Sequence, residues 1–388
     1  MQKILKHSLI LVLFGVIALS SAFGQVRTIA DRADTVKLKK AVADFRKPNQ
    51  LPGISVAIIK DGEMIFKHGA GIARSGIKAD GDTVYHAASV SKVIAGTLAV
   101  KLLQNRKLED GTKIQINLNS PTSSYLKNVR QTNGKVVSLP SGHKHSVKQL
   151  FSHLACIKGY EGIEPTYKNY PKAIDALPAI WNQGFVPDCS LGVDWNYSTH
   201  AFTYIAAVLE KITGKTAAQL VRSEIAIPHN LPTLESSWEN GRYSNNRKLA
   251  DHFEVGLKPV AIKPKDNSWK VFGGGLQIST VDLARFGWKV RSGEIVRAAR
   301  RDNILWKRVN PSKAYGIGWR LVRRDKWRVA EHSGKWRGVR TNLRVYRDKN
   351  APIVIAVMTN RETFLVGNDL NTLTDSLAKI VLKIRRIR

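Results

Sequence analysis

The sequence predicts an α/β fold of the α+β kind: an antiparallel sheet built from both ends of the chain, flanked by helices, with an all-helical domain inserted between. Three observations predict it. Runs rich in β-branched and aromatic residues lie at 54–68 and again from Tyr315 to Met358. Between them, apolar residues recur at helical spacing. Asp61-Gly62 separates the first two β-rich runs, and that dipeptide supplies the turn of a two-strand hairpin.

Along the chain, 35–46 reads as a leading helix, 54–60 and 64–68 as the hairpin strands, and 91–104 as a helix with Val93, Leu98, Leu102 and Leu103 on its apolar side. Helices follow at 147–154, 171–181, 198–212 and 216–225, with Gly214 as the stop of the third. Ser279 or Thr280 caps the next helix, through Val290, with Asp282 in its first turn. Strands return at 317–322, 327–332, 339–346 and 353–358, and 368–387 closes the chain as an amphipathic helix. This assigns 25–100 and 270–388 to the sheet domain and 101–269 to the helical one.

The 388 residues are 43% hydrophobic and 24% charged, which excludes disorder, collagen and a disulfide miniprotein. The 62 Lys+Arg against 30 Asp+Glu give a net charge of +32 and predict attraction to polyanions. Residues 1–24 carry Lys3 and Lys6, an apolar run at 9–19 and Ala22-Phe23-Gly24, the layout of a secretory signal peptide. The run is short for a membrane span, although an uncleaved anchor is the alternative. Cleavage after Gly24 leaves a periplasmic or secreted chain of +30, so anionic envelope polymers or lipid head groups replace nucleic acid as the expected polyanion. Residues 285–350 alone hold 20 Lys+Arg and 5 Asp+Glu. In an oxidising compartment Cys156 and Cys189, the only two cysteines, can form a disulfide; two buried free thiols are the alternative.

Three short segments carry groups suited to catalysis. In Ser89-Val90-Ser91-Lys92, at a helix start, the lysine falls one turn beyond the serine on the same face, where an amine with a depressed pKa activates a hydroxyl. Tyr197 opens another helix, and beside a lysine its phenol is expected to have a lowered pKa and to shuttle protons. His332-Ser333-Gly334 ends a strand-like run; its glycine admits a substrate backbone, and the next amide, that of Lys335, is an oxyanion donor. Elsewhere His143, His145, His153 and Cys156 match no zinc spacing, Gly273-Gly274-Gly275 lacks dinucleotide-site spacing, and no G-x-S-x-G occurs.

In order and spacing, these segments together resemble the three active-site elements of the serine β-lactamase and D-alanyl-D-alanine peptidase superfamily, in its class C-like, carboxypeptidase and esterase branch. Leu150-Phe151-Ser152-His153-Leu154, Glu210-Lys211-Ile212-Thr213-Gly214, Gly274-Gly275-Leu276 and Tyr315-Gly316-Ile317-Gly318-Trp319 are similar to further segments of that branch. The resemblance implies the β-lactamase/transpeptidase-like fold and an acyl-enzyme on Ser89. It makes Lys92 and Tyr197 a coupled proton-transfer unit, and His332 a further catalytic group that bonds the phenol or a substrate carboxylate. Thr199, Ser333, Gly334 and Lys335 would bind a peptide, β-lactam or ester substrate, and no metal or organic cofactor is required. The substrates implied are D-amino-acid peptides or peptidoglycan fragments, with weak β-lactam turnover. A carboxylic esterase and a non-catalytic envelope-binding protein are the alternatives. Two positions depart from the pattern. Thr199 stands where the branch usually has asparagine, which puts efficient β-lactam turnover in doubt. Ala155-Cys156 replaces Ser-Gly.

Overall fold

The structure is a computed structural model that describes residues 32–159, 168–254, 260–362 and 369–384. The predicted export segment, 1–24, lies outside these residues. Helix α1 (Arg32–Arg46) leads into strands β1 (Gly53–Lys60) and β2 (Glu63–Arg74), joined through Asp61 and Gly62. Their φ of 54° and 93° is the left-handed geometry that this dipeptide tolerates. After β3 (Ile77–Lys78) and β4 (Val84–His86) comes α2 (Ser91–Asn105). Helices α3 (Ala173–Trp181) and α4 (His200–Thr213) dominate the middle of the chain, and Gly214 ends α4 with φ 72°. Then follow β5 (Leu276–Ser279) and α5 (Thr280–Ser292), with the Ser279 hydroxyl accepting from Asp282 N at 3.1 Å as its cap. The C-terminal part is β6 (Arg320–Arg324), β7 (Trp327–Trp336), β8 (Val339–Tyr346), β9 (Ile353–Thr359) and α6 (Leu370–Lys383).

One seven-stranded antiparallel sheet holds both ends of the chain, in the order β6-β7-β8-β9-β1-β2-β3. The join is β1 against β9, in register from Ile54 with Thr359 to Lys60 with Ile353. Because successive side chains of a strand point to opposite faces, β1 serves two cores. Ile54, Val56 and Ile58 pack with Leu38 and Val42 of α1 and Leu373 and Leu377 of α6. Ala57 and Ile59 belong to the larger core that contains α2, α4 and α5.

Helix α2 is buried from Ser91 to Leu102, with no solvent face, so its pattern is only weakly amphipathic. It admits backbone against backbone: a Cβ on Gly96 would stand 2.1 Å from Ile317 O, and one on Gly318 would stand 2.4 Å from Lys92 O. This contact corrects the strand expected at 317–322. Residues 317–319 are held as a loop against α2, Gly318 at φ 76°, and pairing starts only at Arg320. The second sheet, in which β5 lies between β4 and Glu235–Ser236, was not legible in the sequence because two- to four-residue strands show no periodicity. The helix expected over 216–225 is α-helical over Ala217–Val221 and continues as a π-helical turn, Arg222–Ala226.

Candidate active site

Pairing of β4 with β5 delivers the chain to a tight turn, Ala88–Val90, immediately before α2. Ala87 N donates to Leu276 O at 2.8 Å, and Leu276 N donates to Ser91 Oγ at 3.2 Å. Ala88 has φ 46°, unusual for a residue with a side chain. Ser89 is therefore presented on a fixed turn, and it is only partly buried while Val90, Ser91 and Lys92 behind it are buried.

Lys92 reaches back one helical turn. Its Nζ is 3.2 Å from Ser89 Oγ and 3.2 Å from Thr199 Oγ1, and it donates to Gly273 O. It is fully buried, and among the described residues no carboxylate pairs with it. Removal from water penalises the ammonium and pushes the amine well below its usual range. A neutral amine has two N–H donors and one lone pair. As the ammonium, Nζ donates to all three oxygens; in the neutral form Gly273 O and Thr199 Oγ1 can take the two donors and leave the lone pair for the Ser89 hydroxyl.

The Tyr197 hydroxyl bonds Ser89 and Thr199, and the Lys92 Nζ lies 5.0 Å from its ring centroid. The lowered phenol pKa expected from the sequence is corrected here. Enclosure raises it, because the phenolate loses more solvation than those two hydrogen bonds return. Enclosure therefore acts on both groups toward the neutral form, lowering the pKa of the amine and raising that of the phenol. His153 helps to hold the tyrosine: its ring is 4.3 Å from the Tyr197 ring, its Nδ1 accepts from Ser198 N at 3.1 Å, and its carbonyl accepts from Asn196 N at 2.8 Å. The Cys156–Cys189 disulfide is formed and ties the loop after His153 to the segment leading to Tyr197.

Strand β7 forms the opposite wall. Gly334 lies so close to the turn that a Cβ there would be 2.7 Å from Ala87 O and 3.0 Å from Ser89 N. Alternation along β7 separates the other two residues of its motif. Ser333 is exposed and lines the cavity. His332 is 4% exposed, is not part of the lining, and its Nδ1–H donates to Ser333 O at 2.6 Å. Burial and the neighbouring Lys92 lower its pKa to about 3. His332 packs behind the cavity wall, with ring centroids 6.4 Å from Tyr197 and 6.0 Å from Tyr315, and its Nε2 is buried without a partner, so the bond to the phenol expected of it is not formed. Thr199 lines the cavity, yet its hydroxyl faces Lys92 and Tyr197 rather than an incoming acyl group.

These residues surround a cavity of about 510 Å³. Its lining is cationic: Lys270, Lys335, Arg337 and Arg340 face one carboxylate, Glu362, which pairs with Lys335 at 2.9 Å and Arg340 at 3.6 Å. Lys270, with its ammonium over the Trp336 ring, and Glu362 were not among the residues singled out from the sequence. Neither lies within a motif, so no local signal pointed to them. His86 was also missed. Its Nδ1 accepts from Ala88 N at 3.1 Å, its Nε2 lies 2.6 Å from the Asn267 amide, and Asn267 in turn bonds Ser237 at 3.0 Å. This chain fixes the amide preceding the nucleophile.

The family model described as Beta-lactamase matches residues 38–379. The chain belongs to the β-lactamase family. Penicillin-binding protein 4* of Bacillus subtilis (strain 168) is 23% identical over 238 residues, 56% of this chain and 51% of that protein. The chain thus spans about half the length of the curated relatives it matches. Among solved structures, the octameric penicillin-binding protein homologue from Pyrococcus abyssi superposes with a TM-score of 0.72 at 17% identity, over 90% of this chain and 77% of that one. D-amino acid amidase from Ochrobactrum anthropi SV3, complexed with D-phenylalanine, gives 0.68 at 18% identity, over 91% and 99%. These likenesses show that the β-lactamase-family chain has the penicillin-binding-protein-like fold.

Proposed function

We propose that this β-lactamase-family protein is an exported serine hydrolase that forms an acyl-enzyme on Ser89. One observation carries the proposal: a buried amine, with which no carboxylate pairs among the described residues, lies 3.2 Å from a serine hydroxyl that opens onto a cavity. The Ser89 proton passes to Lys92 as Oγ attacks a carbonyl carbon. The amides of Ser89 and Lys335 hold the resulting oxyanion. As the C–N or C–O bond breaks, the neutral Tyr197 phenol donates to the leaving nitrogen or oxygen and is reprotonated from Lys92. Water then adds to the acyl-enzyme along the same proton path and frees Ser89.

The excess of cations over carboxylates in the cavity lining, four against Glu362 alone, supports a substrate that carries a carboxylate, such as a D-amino-acid peptide or peptidoglycan fragment, over a neutral ester. Thr199 offers no free amide for an acylamino side chain, so β-lactam turnover is weak in this reading. Export rests on the leader-like segment at residues 1–24. The test is covalent labelling by a fluorescent penicillin or a fluorophosphonate, together with hydrolysis of D-alanyl-D-alanine peptides and of a neutral ester. Ser89→Ala should abolish both labelling and hydrolysis. Labelling of that variant at the wild-type rate would overturn the assignment, and an ester turned over faster than the peptides would overturn the substrate class.

A further inference from the structure

A second cavity, of about 470 Å³, lies beside the outer strand β6 and shares no lining residue with the active site. Lys307 and Arg308 approach it from one side, Arg323 of β6 and Arg328 of β7 from another, and Arg347, just past β8, stands at its wall with Trp306. Of the five cations only Arg328 is neutralised, by Asp348 at 2.7 Å. Among the described residues the other four pair with no carboxylate. The one acidic residue in the wall, Asp302, is turned onto Arg301, with both of its oxygens 2.9 Å from the guanidinium.

The cations are held in place. Arg308 donates to the carbonyls of Pro311 and Leu321 at 3.2 and 3.1 Å, and Arg323 donates to Lys326 O at 3.1 Å. Arg301 and Arg347 both lie over the Trp306 ring, 5.0 and 5.5 Å from its centroid, so an aromatic face supports two guanidiniums that repel each other. Two donors at this wall, Trp306 Nε1–H and Arg347 Nε–H, are buried without a partner. Burial and the nearby Arg328 and Arg301 also hold the Arg347 guanidinium below its usual pKa, which is what clustered like charge does. Such a concavity favours a ligand with several acceptor oxygens and more than one negative charge.

We propose that this cavity binds a phosphate ester borne on a polyanion. A carboxylate brings one charge and two oxygens and satisfies one guanidinium. A phosphate presents oxygens in a tetrahedral array that two or three guanidiniums engage together. The concave shape selects a group that projects into it, which a flat head-group surface does not. This site also gives the positive charge concentrated in residues 285–350 a use separate from the active site.

Isothermal titration of the full chain with inorganic tripolyphosphate, and with citrate as a carboxylate of similar charge, tests the site. Saturable one-to-one binding of tripolyphosphate is expected. Arg347→Gln and Arg323→Gln should each weaken it about tenfold or more. Arg242→Gln, which removes the same charge from an exposed hairpin elsewhere, should change it less than twofold. Arg323 is exposed, so its variant keeps the test valid if the half-buried Arg347 is needed for folding. Equal weakening by all three variants would show a general charge effect and refute the site; citrate binding as tightly as tripolyphosphate would refute the phosphate assignment. A soluble glycerol-phosphate polymer and phosphatidylglycerol vesicles distinguish the carriers: Arg347-dependent binding is expected for the polymer, and Arg347-dependent binding of vesicles alone would overturn the projecting-group argument. Hydrolysis by Arg323→Gln should equal that of the wild type.

Discussion

Gly334→Ala tests whether β7 and the Ser89 turn form one rigid unit. The added Cβ would meet Ala87 O at 2.7 Å, Ala88 Cβ at 2.9 Å and Ser89 N at 3.0 Å, and none of these atoms can rotate away. Ordinary contact begins at 3.4 Å, so strand and turn must separate by about 0.7 Å. The turn resists that movement. Ala87 N is bonded to Leu276 O, Ala88 N to His86 Nδ1 and the His86 carbonyl to Thr341 Oγ1. Strand β7 is itself paired with β8 at this point, Gly334 opposite Thr341. The separation therefore opens the gap between the two proposed oxyanion donors. A misplacement approaching 1 Å costs catalysis about 10²-fold, so acylation should slow by about 30- to 100-fold. Overpacking should also destabilise the fold by about 1–3 kcal/mol. The assay is the stopped-flow rate of labelling by a fluorescent penicillin, with a thermal melt in parallel. Gly142→Ala, whose Cβ would find only Phe185 at 3.7 Å, is the control. A folded Gly334→Ala that labels within threefold of the wild-type rate would refute the rigid-unit reasoning.

Three further outcomes are expected. His86→Phe removes the acceptor for Ala88 N and should lower kcat about tenfold or more with KM little changed, while His86→Asn, whose Oδ1 can replace Nδ1, should recover most of the rate; equal loss in both variants would dismiss the positioning role. Glu210 accepts from Ala173 N at 2.8 Å and Ala217 N at 3.0 Å, and burial raises its pKa from 4.5 to about 7. The folded state then binds the proton more tightly than the unfolded one, so this contribution is complete below pH 4.5 and is lost as pH rises through 7. It is worth about 3 kcal/mol at most, and a pH series of denaturant melts should show it flattened in Glu210→Gln. Replacing both Cys156 and Cys189 by serine frees a link across 33 residues and should cost about 2–4 kcal/mol by the same melts. It should also slow acylation, because the loop that carries His153 orients Tyr197; unreduced denatured protein in which both thiols alkylate would mean that the bond is absent.

The local signals were sufficient for much of the fold. Asp61-Gly62 set the first hairpin, Gly214 ended α4, and Ser279 with Asp282 started α5, because turns and caps depend on residues within a few positions of one another. Ser89 and Lys92 belong to the same class: three residues of a helix start suffice to bring Nζ to the hydroxyl. Strand 317–322 failed for a non-local reason, since what holds Ile317 and Gly318 out of the sheet is the bare backbone of α2 at Gly96. The phenol of Tyr197 moved in the direction opposite to that expected, because desolvation is set by everything packed around a group and not by one neighbouring lysine.

The sequence by itself therefore determined where several elements start or stop, that segments from the first and last parts of the chain build the sheet, and which serine, lysine and tyrosine meet. The tertiary structure alone decided which face of β7 looks inward, leaving Ser333 at the cavity and His332 behind it. It alone brought Gly273 O to Lys92, Glu362 to Lys335, and Arg347 to the wall of a second cavity. Spacing along the chain fixes contacts only within a turn or two. Protonation, facing and charge clustering depend on which distant segments exclude water from a group, and packing alone decides that.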